Sequence, residues 1–498
     1  MLHDNKVWVG STTDKYEPQY ILLPMANRHG LIAGATGTGK TTTLKVLAES
    51  FSEAGIPVFT ADIKGDLTAT CMAGADNEDM QDRIKRFGLA KTEFKFQGFP
   101  LEYWDVFEKY GHPVRATISE MGPILLSNIM ELTDAQEGIL NIAFQCADEN
   151  EFLMDDIKDL RSVLTYITEH ASEITLKYGN VTKQSVGAIV RKLVELENNG
   201  AEKFFGKPAL DINDWLNVDF NGKGTINLLE CSELFQKPKL YSTFMLWMLS
   251  SLYEALPEVG DLEKPRIVFF FDEAHLLFDD APKALIDKIT QTVRLVRSKG
   301  VGVYFCTQNP TDLPAEVLAQ LSNRIQHALR AYTPADQKNL KATCDTFRAN
   351  KNFKTEDVIT ELGKGEALVT FLDENAVPGV VQRVYILPPE SHFGSLDDTT
   401  LQQMIRSSRF DVKYGTMVDD RSAYEVIEEK TKQETKEKEE AIAKAKQEKE
   451  EAKAAARAQK EEEKKKQKVR KEIQRIGKRV VNRATDIIVR NILGTLGK

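Results

Sequence analysis

Cysteine is scarce and scattered: five residues, at positions 71, 146, 231, 306 and 344, with no CxxC pair and an odd total. That pattern excludes a disulfide framework and a zinc ribbon, and it fits a reducing, cytoplasmic compartment. Long apolar runs are missing as well. No stretch approaches the ~18 uncharged apolar residues of a membrane span, and the N-terminus MLHDNKVWVG has neither a basic n-region nor an apolar h-region. No transmembrane segment is expected, although a peripheral membrane contact stays open.

What is present excludes disorder. With 498 residues, 42% of them hydrophobic, the chain can bury a large core, and roughly 100 to 200 residues per domain implies about two to four units. Short β-branched and aromatic runs alternate with amphipathic stretches: GLIAG (30–34), PVFTAD (57–62), GTINLLE (224–230), RIVFFFDE (266–273), GVGVYFCTQ (300–308) and RIQHALRA (324–331). Continuous apolar runs of this length suit strands buried on both faces, so an α/β fold with a mostly parallel central sheet is expected. GEALVTFLD (365–373) and VVQRVYIL (380–387) read as a closing antiparallel pair.

About 160 residues separate the second of these strands from the third, mostly with helical spacing, and they read as a helical insertion. The expected organisation is a core in two parts, 1–78 and 222–390, with a mainly helical insertion at 79–221. A linker at 391–424, a charged helical segment at 425–479 and an amphipathic helix at 480–498 follow. The charged segment holds 19 Lys/Arg and 14 Asp/Glu, a net of +5, which leaves −14 on the remainder of a chain whose formal charge is −9. It lacks apolar a and d positions and reads as a solvated helix held by i, i+4 pairs. In the terminal helix Val480, Ala484, Ile487, Ile488, Ile492 and Leu496 can share one face, which would dock on a protein partner, a neighbouring subunit, a membrane surface or the protein's own body.

GATGTGKTTT (34–43) follows an apolar run and precedes a helix-like stretch, the order required of a phosphate-binding loop, G-x-x-x-x-G-K-[ST]. Gly34, Gly37 and Gly39, with Ala35, Thr36 and Thr38 between them, can turn main-chain N–H groups toward one anion at a helix N-terminus. Lys40 is expected at the β/γ-phosphates of a nucleoside triphosphate, Thr41 on Mg²⁺, and Thr42 beside it. Asp272, at the carboxyl end of a strongly apolar strand, is the expected metal-holding carboxylate, and Glu273 the group that polarises an attacking water.

Gln308 ends the next apolar strand, on the rim where open α/β sheets bind ligands, and either touches the γ-phosphate or caps a turn before Asn309 and Pro310. Asp62 and Lys64 end the second strand on the same rim, with a turn at Gly65 as the alternative reading. The letters DEAH at 272–275 are not accompanied by the second lobe or later motifs of the helicases named for them, so His275 reads as a local hydrogen-bonding residue.

Together GATGTGKT, DIKGD, VFFFDEAHLLF, RLVRSKGVGVYFCTQNP and NRIQHALRAYTP resemble the HerA/FtsK superfamily of RecA-like ATPases, and within it the bacterial HerA-like group, over most of residues 15–390. The resemblance implies an ATP-hydrolysing enzyme using Mg²⁺ that assembles into a homo-oligomeric, hexameric ring and acts on double-stranded DNA. It assigns Walker A roles to Lys40 and Thr41, Walker B roles to Asp272 and Glu273, and a sensor role to Gln308. Arg297 is the expected trans-acting arginine finger, with Arg28, Arg324 and Arg330 as weaker candidates. Only 33 residues precede the loop, so the N-terminal barrel of HerA proper is not expected. An ATPase acting on protein partners, or a nucleotide-switched scaffold that does not translocate DNA, using the insertion and the tail for recruitment, is therefore the alternative expectation.

Overall fold

The computed structural model describes residues 1–493 apart from Asp261 and 280–282, and the side chains of all of these but 284 and 490–493. Residues 1–424 form one compact unit, and the chain from Glu425 onward forms a second.

The first unit is built on a thirteen-stranded sheet. Its strands are β1 (Leu2–His3), β2 (Lys6–Thr12), β3 (Pro18–Leu22), β4 (Gly30–Ala33), β5 (Val58–Asp62), β6 (Leu101–Asp105), β7 (His112–Pro113), β8 (Ile226–Glu230), β9 (Ile267–Phe271), β10 (Val301–Thr307), β11 (Asn323–Gln326), β12 (Glu366–Thr370) and β13 (Gln382–Ile386). The order is β1-β2-β13-β12-β11-β4-β10-β9-β5-β8-β6-β7, with β3 on β2. From β11 to β7 every pairing is parallel, and from β11 outward to β1 every pairing is antiparallel. Every residue of β4, β5, β8, β9 and β10 is buried, as strands covered on both faces must be.

The expected parallel sheet and the closing pair β12–β13 are present. The pair is not the edge, however, because the N-terminal meander β1–β3 continues the sheet through β2 on β13. The close approach there needs a glycine: a Cβ at Gly10 would lie 2.3 Å from the Tyr385 carbonyl oxygen.

Between β5 and β8 the chain forms β6 and β7 and a group of helices. Three of these helices, Ile118–Ile129, Asp134–Glu149 and Ile157–Glu169, start with capping boxes on Thr117, Thr133 and Asp156. Leu126, Leu140, Ala143, Leu160 and Leu164 are fully buried, while Ile124 stays exposed.

One helix, Ala423–Leu493, makes up the described part of the second unit from Glu425 onward and runs through both the charged segment and the amphipathic one. It carries i, i+4 pairs such as Lys432–Glu428 at 2.7 Å and Lys466–Glu462 at 2.8 Å. Leu496 and the side chain of Ile492, expected on its apolar face, lie outside the described residues. No helix among the described residues is long and apolar enough to cross a membrane.

Candidate active site

In a parallel sheet all carboxyl ends share one edge, so the loops after β4, β5, β9 and β10 meet there whatever their separation in sequence. The loop after β4 is bound to its neighbours through its own backbone: Gly34 N–H donates to Thr307 at the end of β10, and Ala35 N–H donates to Ala328 just past β11. Gly34, Gly37 and Gly39 take φ values of +152°, +80° and +117°, which only glycine adopts readily. Helix α1 (Lys40–Glu53) follows directly.

Lys40 folds over this loop, its Nζ donating to the Gly34 carbonyl at 2.6 Å and lying 3.4 Å from that of Ala35. Burial pulls its pKa below the ordinary ammonium value, and the negative charges of Glu273 and Asp272 oppose that shift. The glycine loop and the acidic pair thus share one electrostatic environment.

Asp272 follows β9 and is largely desolvated. Burial first, and the charge of Glu273 second, raise its carboxyl from 3.8 to about 6, while Lys64 and Lys40 act in the opposite direction. Its Oδ1 accepts the Glu273 N–H at 3.0 Å. Glu273 sits in the left-handed region (φ 44°, ψ 48°), a conformation that costs a non-glycine residue on the order of 1–3 kcal/mol and is found where a side chain must be aimed. Gln308 donates to Glu273 Oε2 at 3.4 Å, and His275 Nδ1 lies 3.5 Å from the same oxygen. Gln308 and His275 therefore both face Glu273, and Gln308 remains exposed.

Asp62 is on the same edge but is used locally: its carboxylate accepts the N–H groups of Asp66 and Leu67, closing the turn at Gly65. Lys64, by contrast, is close enough for its charge to act on Lys40 and Asp272.

The arginines divide between the two edges. Arg297 stands four residues before β10 and Gln308 one residue after it, so they are separated by the strand's length, roughly 20 Å at about 3.3 Å per residue. Arg297 acts electrostatically on buried His29, which precedes β4 and accepts the Val303 N–H, so it belongs to the amino edge. Arg28 precedes β4 on that edge too, and Arg324 is spent on the carbonyls of Leu321 and Leu318. Arg330 follows β11 and is exposed beyond the carboxyl edge.

Two features went unread in the sequence. His327 is fully buried behind the glycine loop, where a Cβ on Gly34 would lie 2.5 Å from its own Cβ. Its Nδ1 meets the Glu366 carbonyl at 2.8 Å, so that nitrogen carries the proton, and Nε2 accepts from the Thr43 hydroxyl at 2.8 Å. Burial lowers its pKa to about 4, which keeps the ring neutral and the pair intact.

The second is a cleft of about 670 Å³ beside the first turns of α1, lined among others by Thr41, Thr42, Lys45, Arg83, Lys364 and Phe393. Its wall is held by Glu49, which accepts the N–H groups of Glu390 and Ser391, and by Lys45, which donates to Thr70 and to the His392 carbonyl. A polar residue ending the apolar run RIQH was the available signal for His327; nothing local marks residues 388–394.

The donor set suits a hard cation held jointly with phosphates: one hydroxyl, Thr41, and one buried carboxylate, Asp272. Among the described residues no group of three or more His, Cys, Asp or Glu could hold a metal unaided.

The family described as "Helicase HerA-like C-terminal" matches residues 9–498. Among curated proteins the chain is similar to the DNA double-strand break repair helicase HerA of Sulfolobus acidocaldarius, 22% identical over 358 residues that cover 70% of this chain and 63% of that protein. It is similar also to the HerA of Sulfurisphaera tokodaii, 23% identical over 362 residues that cover 69% and 62%. The chain thus spans less than two thirds of the length of these relatives. Among solved structures, VirB4 of Thermoanaerobacter pseudethanolicus superposes with a TM-score of 0.50 at 16% identity, over 78% of this chain and 97% of that one, a likeness of fold.

Proposed function

This chain belongs to the helicase HerA-like family, and from that premise we propose that it is an ATP hydrolase that forms a homo-oligomeric ring, a hexamer, and uses turnover to move double-stranded DNA in the cytoplasm. The observation that carries the reading is the convergence of the glycine loop, Lys40, Asp272, Glu273 and Gln308 on one sheet edge, with Lys40 under the influence of both carboxylates.

In this reading residues 34–39 and Lys40, Thr41 and Thr42 bind the triphosphate, and the nucleoside extends into the adjoining cleft. Thr41 and Asp272 would hold Mg²⁺, which when bound neutralises charge on the β/γ-phosphates. Glu273 orients and polarises the attacking water, and Gln308, donating to Glu273, couples that carboxylate to the γ-phosphate position. Arg297 acts on the site of a neighbouring copy, where a guanidinium accelerates phosphoryl transfer by about 10³ to 10⁵. The core is taken as residues 1–78 and 222–390 together with β6 and β7, whose strands extend the same sheet, with the helices of 79–221 inserted, and the linker and tail follow from 391.

Duplex DNA is proposed because the similar proteins bear the name of DNA double-strand break repair helicases. A net charge of −14 outside residues 425–479 demands that the DNA contacts be local and basic. The test is ATP turnover with and without duplex DNA at two salt concentrations. Stimulation that falls steeply with salt is expected; turnover indifferent to DNA would overturn the DNA assignment and move the substrate to protein.

A further inference from the structure

The long helix is not uniform. Over residues 425–467 it holds 13 Lys/Arg and 13 Asp/Glu, a net of zero, and between Glu428 and Lys468 its one large apolar residue is Ile442. Over residues 468–493 it holds eight Lys/Arg against Glu472 and Asp486, a net of +6. In that same stretch Val469, Ile473, Ile476, Val480, Ala484 and Ile487 recur three or four residues apart, so at 3.6 residues per turn they form one stripe about 27 Å long. All six are exposed, Ile473 by 63% and Ile487 by 60%. Lys471, Arg475 and Lys478 fall on the opposite side of the wheel, and Arg479 on its flank.

An exposed apolar stripe this long needs a cover, and the charge selects among covers. A second copy of the helix would bring +6 against +6. Duplex DNA would satisfy the cations but has no apolar medium for the isoleucines. An anionic bilayer surface meets both requirements: the stripe sinks to the acyl boundary while the lysines and arginines stay among the headgroups. We propose that residues 468–493 are an in-plane anchor that holds this protein on anionic membrane surfaces. The anchor is independent of the nucleotide reading, because none of its residues belongs to that site.

The full-length protein is tested by co-sedimentation with vesicles of phosphatidylcholine alone and of phosphatidylcholine mixed with phosphatidylglycerol. Binding to the mixed vesicles, weakened by salt, is expected. The double substitution Ile473→Ser/Ile487→Ser should lower it by about tenfold or more, with helix content and ATP turnover unchanged. Arg475→Gln/Arg479→Gln should lower it by about fivefold per cation. Equal binding to neutral and mixed vesicles, or full binding after loss of the two isoleucines, overturns the proposal. So does a change of oligomeric state in the isoleucine variant without loss of vesicle binding, which would assign the stripe to a second copy. A defect of the arginine variant confined to DNA binding would overturn it as well.

Discussion

Asp272 is proposed to hold a metal, yet it weakens the nucleotide-free fold, and the two effects can be separated. Its carboxyl is raised from 3.8 to about 6, mainly by burial and then by the like charge of Glu273. A rise of that size corresponds to about 3 kcal/mol, at about 1.4 kcal/mol per unit. The sign follows from proton binding. A carboxyl whose folded pKa lies above its unfolded one holds more protons when folded, so folding stability falls as pH climbs from about 4 to about 6, and the full penalty stays above that range.

Asn in its place keeps an oxygen for the Glu273 N–H, now accepted at 3.0 Å, and removes the charge. Urea unfolding of nucleotide-free Asp272→Asn should therefore show a gain of about 1–3 kcal/mol at about pH 8, shrinking to nothing at about pH 4. The same variant should lose Mg²⁺-dependent ATP turnover, a trade of function for stability. A variant less stable than its parent at the higher pH, or a gain equal at both, would refute this account of the buried carboxyl.

Glu273→Gln should still bind ATP while turnover falls by about 10² to 10⁴, measured by nucleotide binding and phosphate release; unchanged turnover removes Glu273 from the role of base. Thr43→Val leaves His327 Nε2 buried without its donor and should cost about 1–3 kcal/mol in chemical denaturation, and a neutral result would show that the pair does not secure the base of the loop. Arg297→Ala and Lys40→Ala proteins, each inactive alone, should recover part of their turnover when mixed, and failure to recover at any ratio counts against an arginine acting between copies.

The strands that position the site were legible because burial on both faces leaves an unmistakable trace: IVFFF and VGVYFCT are apolar at every position but one glycine and one threonine. The meander β1–β3 was not. KVWVGST and PQYIL mix polar and apolar residues, and their place in the sheet comes from β2 pairing with β13, some 370 residues away. LEYWD, which became β6, mixes two adjacent aromatics with two acids and lay within a stretch of helical spacing.

At the site, the loop after β4 and the acidic pair could be read because phosphate chemistry restricts both residue type and neighbourhood. His327 could not, since its partner Thr43 is 284 positions away and only the fold joins them. Asp62 left two readings, and its carboxylate chose the turn.

The two-edged character of a parallel sheet explains more than the convergence of the motifs. Residues just after strands are gathered at one edge and residues just before them at the other, so Lys40, Glu273 and Gln308 fall together while Arg297, beside His29, is carried away. Rotamer changes cannot cross that gap, because an arginine side chain reaches only about 7 Å and β10 alone spans about 20 Å. Arg297 therefore has no route to the phosphates of its own chain. An edge-to-edge arrangement of copies would bring the amino edge of one sheet to the carboxyl edge of the next, which is a head-to-tail contact. Contacts of that kind close into rings when their rotation permits and otherwise run on as filaments. The arginine position and the ring are thus one claim: if Arg297 serves a triphosphate at all, it serves a neighbour's.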